Sequence, residues 1–508
     1  MIVKTSLLVA FFAVTVSVGL YFRKHNTDVD SFVLGNRSVG AWLTAFAYGT
    51  SYFSAVVFVG YAGQFGWKYG ISAVWIGLGN AFIGSLLAWV TLGRRTRLMT
   101  RHLNSATMPE FFGARFQSRG LKLAASVITF VFLVPYTASL YNGLSRLFAM
   151  AFGTDFTFCI AAMAALTGLY VIAGGYVATA VNDFIQGIIM LGGVIATAAA
   201  VLSVNGGFLG SLDALARVHA DTPGVYASFF GPDPLNLLGV VLLTSVGTWG
   251  LPQMVQKFYA IRSEKSIAKG TVISTLFALV VSGGCYFLGG FGRLFADRVN
   301  IAADGFDAII PAMLSGFSSL LIGIVVMLVL SASMSTLSSL VMTSASTFTL
   351  DFLRDTVFKD MDDRRQLRVI RMMIAVFILI SSIIAVIQYK GGISFIAQLM
   401  GISWGALAGA FLAPFLYSLY WKRVSIAAVW ACFLFSTLLM TANVFFRGAF
   451  PASLQSPINA GAFAMLAGLI IAPAVSLVTK APETRRMEQV FSCYDQPVTV
   501  PSRQSLGD

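Results

Sequence analysis

The stretch Leu321-Ile-Gly-Ile-Val-Val-Met-Leu-Val-Leu330 is followed, after one serine, by Ala332-Ser-Met-Ser-Thr-Leu-Ser-Ser339. The first part is an uninterrupted apolar run, and the second places five hydroxyl side chains in the same hydrophobic region. The surrounding residues stay predominantly apolar from about 312 to 348. Because about 20 apolar residues suffice to cross a bilayer, this stretch predicts a membrane-spanning helix with a polar middle.

The five hydroxyls have helical spacing. Ala332, Ser335 and Thr336 share one face of a helix, and Ser335, Ser338 and Ser339 share the face one turn further along. Hydroxyls and freed backbone carbonyls are hard oxygen ligands, so this spacing inside a membrane is suited to a small hard cation. The alternative is that the serines pack helices closely or bond their own backbone, which is their commoner use in membrane helices.

The composition excludes a soluble domain and a disordered chain. The 508 residues are 57% hydrophobic and 11% charged, with a mean hydropathy of +0.81, which is typical of an all-α polytopic membrane protein. Thirteen hydrophobic stretches are long enough to span a bilayer. They lie near 3-22, 41-66, 70-92, 121-151, 156-174, 181-204, 236-258, 270-292, 312-348, 369-389, 393-420, 425-446 and 457-479.

The net charge of +13 reflects membrane topology, and we expect no nucleic-acid partner. Of the 34 lysines and arginines, 26 are assigned to the inner loops, which follow every second span, and to the tail: Arg23, Lys24 and Arg37; Arg94 to Lys122; Lys257 to Lys269, at and after the end of span 7; Arg354 to Arg371, including Lys359; Lys422 and Arg423; and Lys480 to Arg503 in the tail. The positive-inside rule then predicts a multi-pass cell-membrane protein with its N-terminus outside and its C-terminus in the cytoplasm. The first span reads as a retained helix, one membrane domain covers 1-480, and 481-508 form a short cytoplasmic tail.

Two spans carry interruptions at their middles. These are Tyr48-Gly-Thr-Ser-Tyr-Phe-Ser54 in span 2 and Gly247-Thr-Trp-Gly-Leu-Pro252 in span 7. They open two consecutive groups of five spans, 2-6 and 7-11, as in transporters built from inverted repeats with broken first helices. The alternative is that glycine and proline are simply frequent in membrane helices.

Asp183 is the one acidic residue of the 21 that falls inside a predicted span. A buried ionisable group in a membrane is expensive and normally has a partner or a task. As a residue at the start of a helix it would need neither. The sequence leaves both interpretations open.

Several motifs together resemble one known family. Tyr170-Val-Ile-Ala-Gly-Gly-Tyr-Val-Ala178, followed by Asp183-Phe-Ile-Gln-Gly187, is similar to the signature of the sodium/solute symporter family, which includes bacterial proline, galactose and sialic acid transporters. Further matches, in chain order, are Asp30-Ser-Phe-Val-Leu-Gly-Asn-Arg37, Thr107-Met-Pro-Glu-Phe-Phe-Gly113, Pro252 with Lys257-Phe-Tyr-Ala260, and Met334-Ser-Thr-Leu-Ser338.

The resemblance implies a LeuT-like core over about 40-423 and co-transport driven by Na+ as the coupling ion. Carried onto this sequence, the family's shared sodium site would use the carbonyls of Thr50, Phe53 and Ala332 with the hydroxyls of Ser335 and Thr336. The interruption in span 2 fits this assignment, because a broken helix frees carbonyls that a continuous helix would consume.

Some members similar to the sialic acid transporter hold a second sodium ion, and the resemblance leaves such a site open in this sequence. The matching positions are Asp183, Ser335, Ser338 and Ser339. All four side chains carry suitable oxygens. One or two sodium ions per transport cycle are both compatible with the sequence.

The solute site is expected at the broken helices. Tyr52 stands where the proline transporters carry an aspartate, and their aromatic residues in span 7 are matched only in part, by Trp249, so the sequence does not assign proline as the solute. No lysine or arginine lies at the middle of spans 2 or 7, which favours a neutral or zwitterionic solute, such as the amino acid proline, or a small carboxylate held by a helix end or by sodium. The candidate contacts are Tyr52, Ser54, Gln64, Trp75, Trp249, Gln253 and Trp404.

The expected function is therefore sodium-coupled symport of a small organic solute by alternating access, with the lipid bilayer as surroundings and no requirement for an oligomer. Two alternatives remain: a proton-coupled symporter with Asp183 as the carrier, and sodium-coupled sugar or sialic acid uptake. An intramembrane enzyme is not expected, because His25, His102 and His219 all lie in loops. A sensor would carry an output domain that the short tail lacks.

Overall fold

The computed structural model describes residues 2–22, 28–218, 222–358, 361–390 and 396–495. The predicted loop residues Arg23, Lys24, His25, His219, Lys359 and Arg503 lie outside these ranges. The α-helices in the first half of the chain are α1 (Ile2–Phe22), α2 (Val29–Leu34), α3 (Ala41–Tyr52), α4 (Ala62–Tyr69), α5 (Val74–Gly79), α6 (Arg94–His102), α7 (Met108–Phe116), α8 (Arg119–Phe152), α9 (Phe156–Ser203), α10 (Phe208–Ala216) and α11 (Pro234–Val246).

Eleven further α-helices follow, and short 3-10 or π-helical turns join several of them. The helices are α12 (Pro252–Ala260), α13 (Glu264–Gly289), α14 (Ile301–Asp304), α15 (Ile309–Leu314), α16 (Ser319–Thr347), α17 (Arg354–Thr356), α18 (Asp363–Lys390), α19 (Ile396–Tyr420), α20 (Ile426–Phe445), α21 (Pro457–Val478) and α22 (Thr484–Phe491). This architecture confirms the prediction of an all-α membrane protein.

Ten helical stretches of the described residues are long and apolar enough to cross a membrane, and one bent pair brings the number to eleven. Two of the ten, Val56–His102 and Phe156–Ser203, have 47 and 48 residues. At about 1.5 Å per residue, each is far longer than one crossing of about 30 Å requires. Each also contains a glycine with positive φ, Gly70 (63°) and Gly175 (59°). We therefore expect two crossings in each, and the count of thirteen spans stays a prediction.

Both predicted interruptions are present. Helix α3 ends at Tyr52, and Phe53 is extended, with φ −93° and ψ 119°. A 3-10 turn follows α11, Leu251 is extended with φ −83° and ψ 121°, and α12 continues at an angle of 46°. Pro252 explains the second break, because the residue before a proline avoids the helical conformation. Each break leaves backbone carbonyls without a helical partner.

Helix α16 lies at the centre of the bundle. It packs against α9, α8, α18 and α1, and also against α3. Every residue from Leu328 to Thr347 is buried. The hydroxyls of the polar run therefore face protein and not lipid.

Several of the predicted inner loops meet on one side of the molecule, which we call the basic face. Arg97 Nε donates to the carbonyl of Ile261 at 2.5 Å, and Arg94 pairs with Glu264 at 2.6 Å. The tail helix α22 joins the same face, because Arg486 donates to the carbonyl of Ala114 at 2.8 Å. These contacts agree with the alternation of basic loops along the chain.

A short parallel bridge between Val39 and Ile261 joins the segments next to α3 and α12 at this basic face. The Val39 N–H donates to the carbonyl of Ala260 at 3.1 Å, and the Arg262 N–H donates to the carbonyl of Val39, also at 3.1 Å. Val39 precedes α3 by two residues, and Ala260 is the last residue of α12. The start of α3 and the end of α12 are thus held together by backbone hydrogen bonds.

Candidate functional site

The structure brings together all five residues predicted for the first sodium site. Thr336 Oγ1 lies 3.1 Å from the carbonyl oxygen of Thr50, 3.2 Å from that of Phe53 and 2.9 Å from that of Ala332. Ser335 Oγ lies 3.2 Å from the Thr50 oxygen and 3.1 Å from the Ala332 oxygen. We call these three carbonyls and two hydroxyls the neutral cluster.

The neutral cluster has more acceptors than protons. Each hydroxyl has one proton and can donate to only one of the carbonyls within its reach. The Ser335 hydroxyl also lies 2.9 Å from the carbonyl of Ser331, in its own helix. A hard cation at the centre of such oxygens would satisfy several of them at once. With no carboxylate among the five ligands, the arrangement suits a monovalent ion better than a divalent one.

The break in α3 makes this cluster possible. In a continuous helix, the Thr50 carbonyl would accept from the N–H of residue 54. Because Phe53 is extended, the carbonyls of Thr50 and Phe53 face α16 instead. The hydroxyls at positions 335 and 336 approach from the opposite side, on a helix that remains continuous. One ion site would thus join a broken helix to an unbroken one.

The residues predicted for a second sodium site lie next to the neutral cluster. Lys257, which was not predicted to belong to this site, contacts two of them. Lys257 Nζ lies 3.9 Å from Asp183 Oδ2 and donates to Ser339 Oγ at 3.0 Å. Ser339 Oγ is also 2.7 Å from Ser51 Oγ, while Ser338 Oγ donates to the Ser335 carbonyl at 2.8 Å. We call Asp183, Lys257, Ser339 and Ser51 the charged cluster.

The position of Lys257 was missed by the sequence analysis, which placed it in a basic loop. The residue is buried, with only 4% of its surface exposed. It lies in α12, the second half of the broken span 7, which follows the break at Leu251. The apolar neighbours Val255, Phe258 and Tyr259 were the available signal, because a solvated loop does not carry such a run.

Four of the predicted solute contacts lie at the two breaks. Tyr52 and Ser54 flank the break after α3, and Gln253 follows the break before α12. The Trp404 ring lies between the two breaks. Its centre is 6.3 Å from that of the Tyr52 ring, and it packs closely against Gly247, where an added Cβ would be only 3.2 Å from the ring. The polar atoms of these four side chains are buried without a hydrogen-bond partner in the described structure.

Tyr136 on α8 completes this group and was not predicted. Its ring lies 6.0 Å from that of Trp404, and its buried hydroxyl lies near the polar groups of Ser54 and Trp404 without forming a hydrogen bond of good geometry within the described structure. Buried polar groups are normally hydrogen-bonded, so a cluster of unpaired ones indicates a place for a polar ligand. The tyrosine follows Pro135 inside α8, and the sequence alone gave no reason to connect it with the breaks.

The other three solute candidates lie elsewhere. The Trp75 indole N–H donates to the Phe229 carbonyl at 2.9 Å, and that of Trp249 donates to the Ile83 carbonyl at 3.0 Å. Gln64 lines a polar cavity of about 650 Å³ whose walls include Lys68, Asp233, Asn236, Gln398 and Arg447. These residues do not join the group around Trp404.

Comparisons with known proteins agree with this architecture. The sequence model of the sodium:solute symporter family matches residues 32–434. The osmoregulated proline transporter OpuE of Bacillus subtilis (strain 168) is 27% identical over 476 residues, covering 93% of this chain and 94% of the relative. The sodium/proline symporter of Staphylococcus aureus (strain NCTC 8325 / PS 47) is 27% identical over 431 residues, covering 83% and 82%.

Solved structures share the fold. A Na+-coupled sialic acid symporter, in a substrate-bound outward-open state, superposes with a TM-score of 0.78 at 17% identity, covering 95% of this chain and 98% of that one. The nucleobase-cation-symport-1 family transporter Mhp1 matches with a TM-score of 0.53 at 14% identity, covering 91% and 97%. These similarities confirm the prediction of a LeuT-like fold.

Proposed function

The chain belongs to the sodium:solute symporter family, and from this premise we propose which solute class it carries and which residues bind its ions. Sodium-coupled symport of a small solute is its function, with sodium as the coupling ion. The proposal is that the solute is a small neutral or zwitterionic molecule, with an amino acid such as proline favoured and a small carboxylate next. The polar group around Trp404 is the observation that carries it.

The proposed solute site is polar without being charged. It is formed by Tyr52, Ser54, Gln253 and Trp404, with Tyr136 added, and none of these five side chains is ionised. A zwitterion needs no net charge from its site, and its carboxylate can be held by the positive N-terminal end of α12. Two relatives named as proline transporters support an amino acid. A sugar would call for more hydrogen-bonding side chains than this group provides.

The proposed sodium site is the neutral cluster. Sodium there would bind Thr50 on α3 and Phe53 at the break together with Ala332, Ser335 and Thr336 on α16, and so hold the broken helix against the central one. Solute at the same break would favour the same conformation. Each ligand then raises the affinity for the other by the same factor, which is set by the coupling free energy between the two sites. This coupling is the thermodynamic basis of co-transport.

The proposed orientation places the basic face in the cytoplasm. The rule that cytoplasmic loops carry the lysines and arginines then puts the N-terminus outside the cell and the C-terminus inside. The membrane domain would extend over 1-480, with 481-508 as the cytoplasmic tail. We propose no requirement for an oligomer in ion binding.

The test is uptake into proteoliposomes that contain the purified protein. Labelled proline, other zwitterionic amino acids, small monocarboxylates, galactose and sialic acid are offered with and without an inward sodium gradient. We expect accumulation of a zwitterionic amino acid that needs sodium. Accumulation of a sugar or of sialic acid alone would refute the solute class, and uptake driven by a pH gradient without sodium would favour the proton-coupled alternative.

A further inference from the structure

The charged cluster contains a cation that belongs to the protein itself. We propose that the Lys257 ammonium takes the place of a second sodium ion, so that one sodium ion accompanies each solute molecule. This inference rests on the proposed function, since it assumes that sodium binds at the neutral cluster. It concerns only the stoichiometry and the residue that sets it.

The lysine contacts two of the four side chains expected to bind a second ion, Asp183 and Ser339. Its Nζ is 3.9 Å from Asp183 Oδ2 and 3.0 Å from Ser339 Oγ, and it is 5.2 Å from the centre of the Tyr176 ring. A tyrosine ring attracts a cation through its negative face. The side chains of Lys257 and Asp183 are 5% and 0% exposed, so the ammonium is enclosed as a bound ion would be.

Charge balance decides between the lysine and a second sodium. With Lys257 charged, the acid and the lysine sum to zero. A sodium ion added to this pair would leave a buried net charge of plus one, and uncompensated buried charge is strongly unfavourable. Without the lysine, Asp183 alone would leave minus one, which a sodium ion neutralises.

The carboxylate depends on this single partner. Neither oxygen of Asp183 has a hydrogen bond within the described structure, and a buried carboxylate needs a compensating charge. Without the lysine, the Asp183 carboxylate and the Ser339 hydroxyl would be free to bind a sodium ion, with the hydroxyls of Ser335 and Ser338 on the adjoining turn of α16.

The lysine differs from a sodium ion in one respect, because it cannot leave. It is carried by α12, whereas Asp183 belongs to α9 and Ser339 to α16. When α12 moves during the transport cycle, the cation moves with it and returns. A second sodium ion would add the free energy of its own movement down the gradient to solute accumulation. The lysine ammonium makes the contacts with Asp183 and Ser339 without moving a second sodium ion across the membrane.

The experiment measures the sodium-to-solute ratio of proteoliposomes from reversal potentials, using the solute identified by uptake. We expect the wild-type protein to carry one sodium ion per solute. We expect Lys257→Met, which keeps the length of the side chain without its charge, to carry two and to show a Hill coefficient for sodium that rises from about one to about two. Lys257→Arg is the matched control and should keep one.

The double variant Asp183→Asn/Lys257→Met provides the second control. It has neither charge, so it should carry one sodium ion like the wild type. A wild-type ratio of two would overturn the proposal without any variant, and so would a Lys257→Met protein that transports with a ratio of one. Wild-type uptake that is indifferent to sodium would instead refute sodium binding at the neutral cluster.

Discussion

The neutral cluster and the charged cluster lie one turn apart on the same helix and use the same kind of hydroxyl. The neutral cluster combines Ser335 and Thr336 with carbonyls freed by the break in α3. The charged cluster combines Ser339 with an acid from α9 and a lysine from α12. The difference teaches that hydroxyl ligands alone do not define an ion site, since the charge of their neighbours determines whether a mobile cation is needed.

The largest effect should come from breaking the charge balance. Asp183→Asn leaves the Lys257 ammonium buried without its acid, and losing one partner of a buried pair costs about 3–5 kcal/mol. We expect the purified variant in detergent to unfold at a clearly lower temperature than the wild type. Thermal unfolding followed by intrinsic fluorescence measures this.

The matched control removes both charges. Asp183→Asn/Lys257→Met should regain most of the lost stability, because no uncompensated charge is left. If the single variant is as stable as the wild type, the two charges do not stabilise one another, and the contrast between the clusters disappears.

A smaller effect is expected at the neutral cluster. Thr336→Ala removes one of five oxygen ligands, worth about 1–3 kcal/mol. The sodium concentration for half-maximal uptake should therefore rise by about 5- to 150-fold. Thr336→Ser keeps the hydroxyl and should stay near the wild-type value.

Ser346→Ala is the matched control for a lost hydroxyl on the same helix. Ser346 Oγ donates only within α16, towards Met342 at 2.7 Å and Thr343 at 3.3 Å. Sodium affinity should be unchanged in this variant. Unchanged sodium dependence in both Ser335→Ala and Thr336→Ala would exclude the neutral cluster as the site.

The smallest effect is expected at the boundary between the clusters. Ser51 adjoins Thr50 in sequence, yet its hydroxyl contacts Ser339 at 2.7 Å and the carbonyl of Ala47. Ser51→Ala should change the sodium dependence of uptake by about two- to fivefold at most, corresponding to about 0.5–1 kcal/mol. A change as large as that of Thr336→Ala would mean that the two clusters act as one site.

The sequence predicted the features that depend on local pattern. Hydroxyl spacing on α16, the acid at 183 and both interruptions are short-range signals, and family motifs connected them. The neutral cluster followed from these because a carbonyl freed at a break must find a partner. The five oxygens lie together in the structure, and sodium binding by them stays a prediction.

The features that were missed depend on long-range packing. Lys257 was assigned to a loop because lysines usually lie at the end of a span. In the structure it is a buried residue within α12, which continues to Ala260. Trp75 and Trp249 were proposed as solute contacts, but their indole groups donate to the carbonyls of Phe229 and Ile83. Neither partner is near its tryptophan in sequence, so no local pattern identifies it.

The backbone bridge at the basic face has a mechanical consequence. Val39 forms backbone hydrogen bonds with Ala260 and Arg262. We therefore expect α3, the first half of span 2, and α12, the second half of span 7, to move together. Helix α3 contains Thr50 of the neutral cluster, and α12 contains Lys257 of the charged cluster. If the two helices tilt together about the extended residues Phe53 and Leu251, the contacts of Thr50 and of Lys257 change in the same movement.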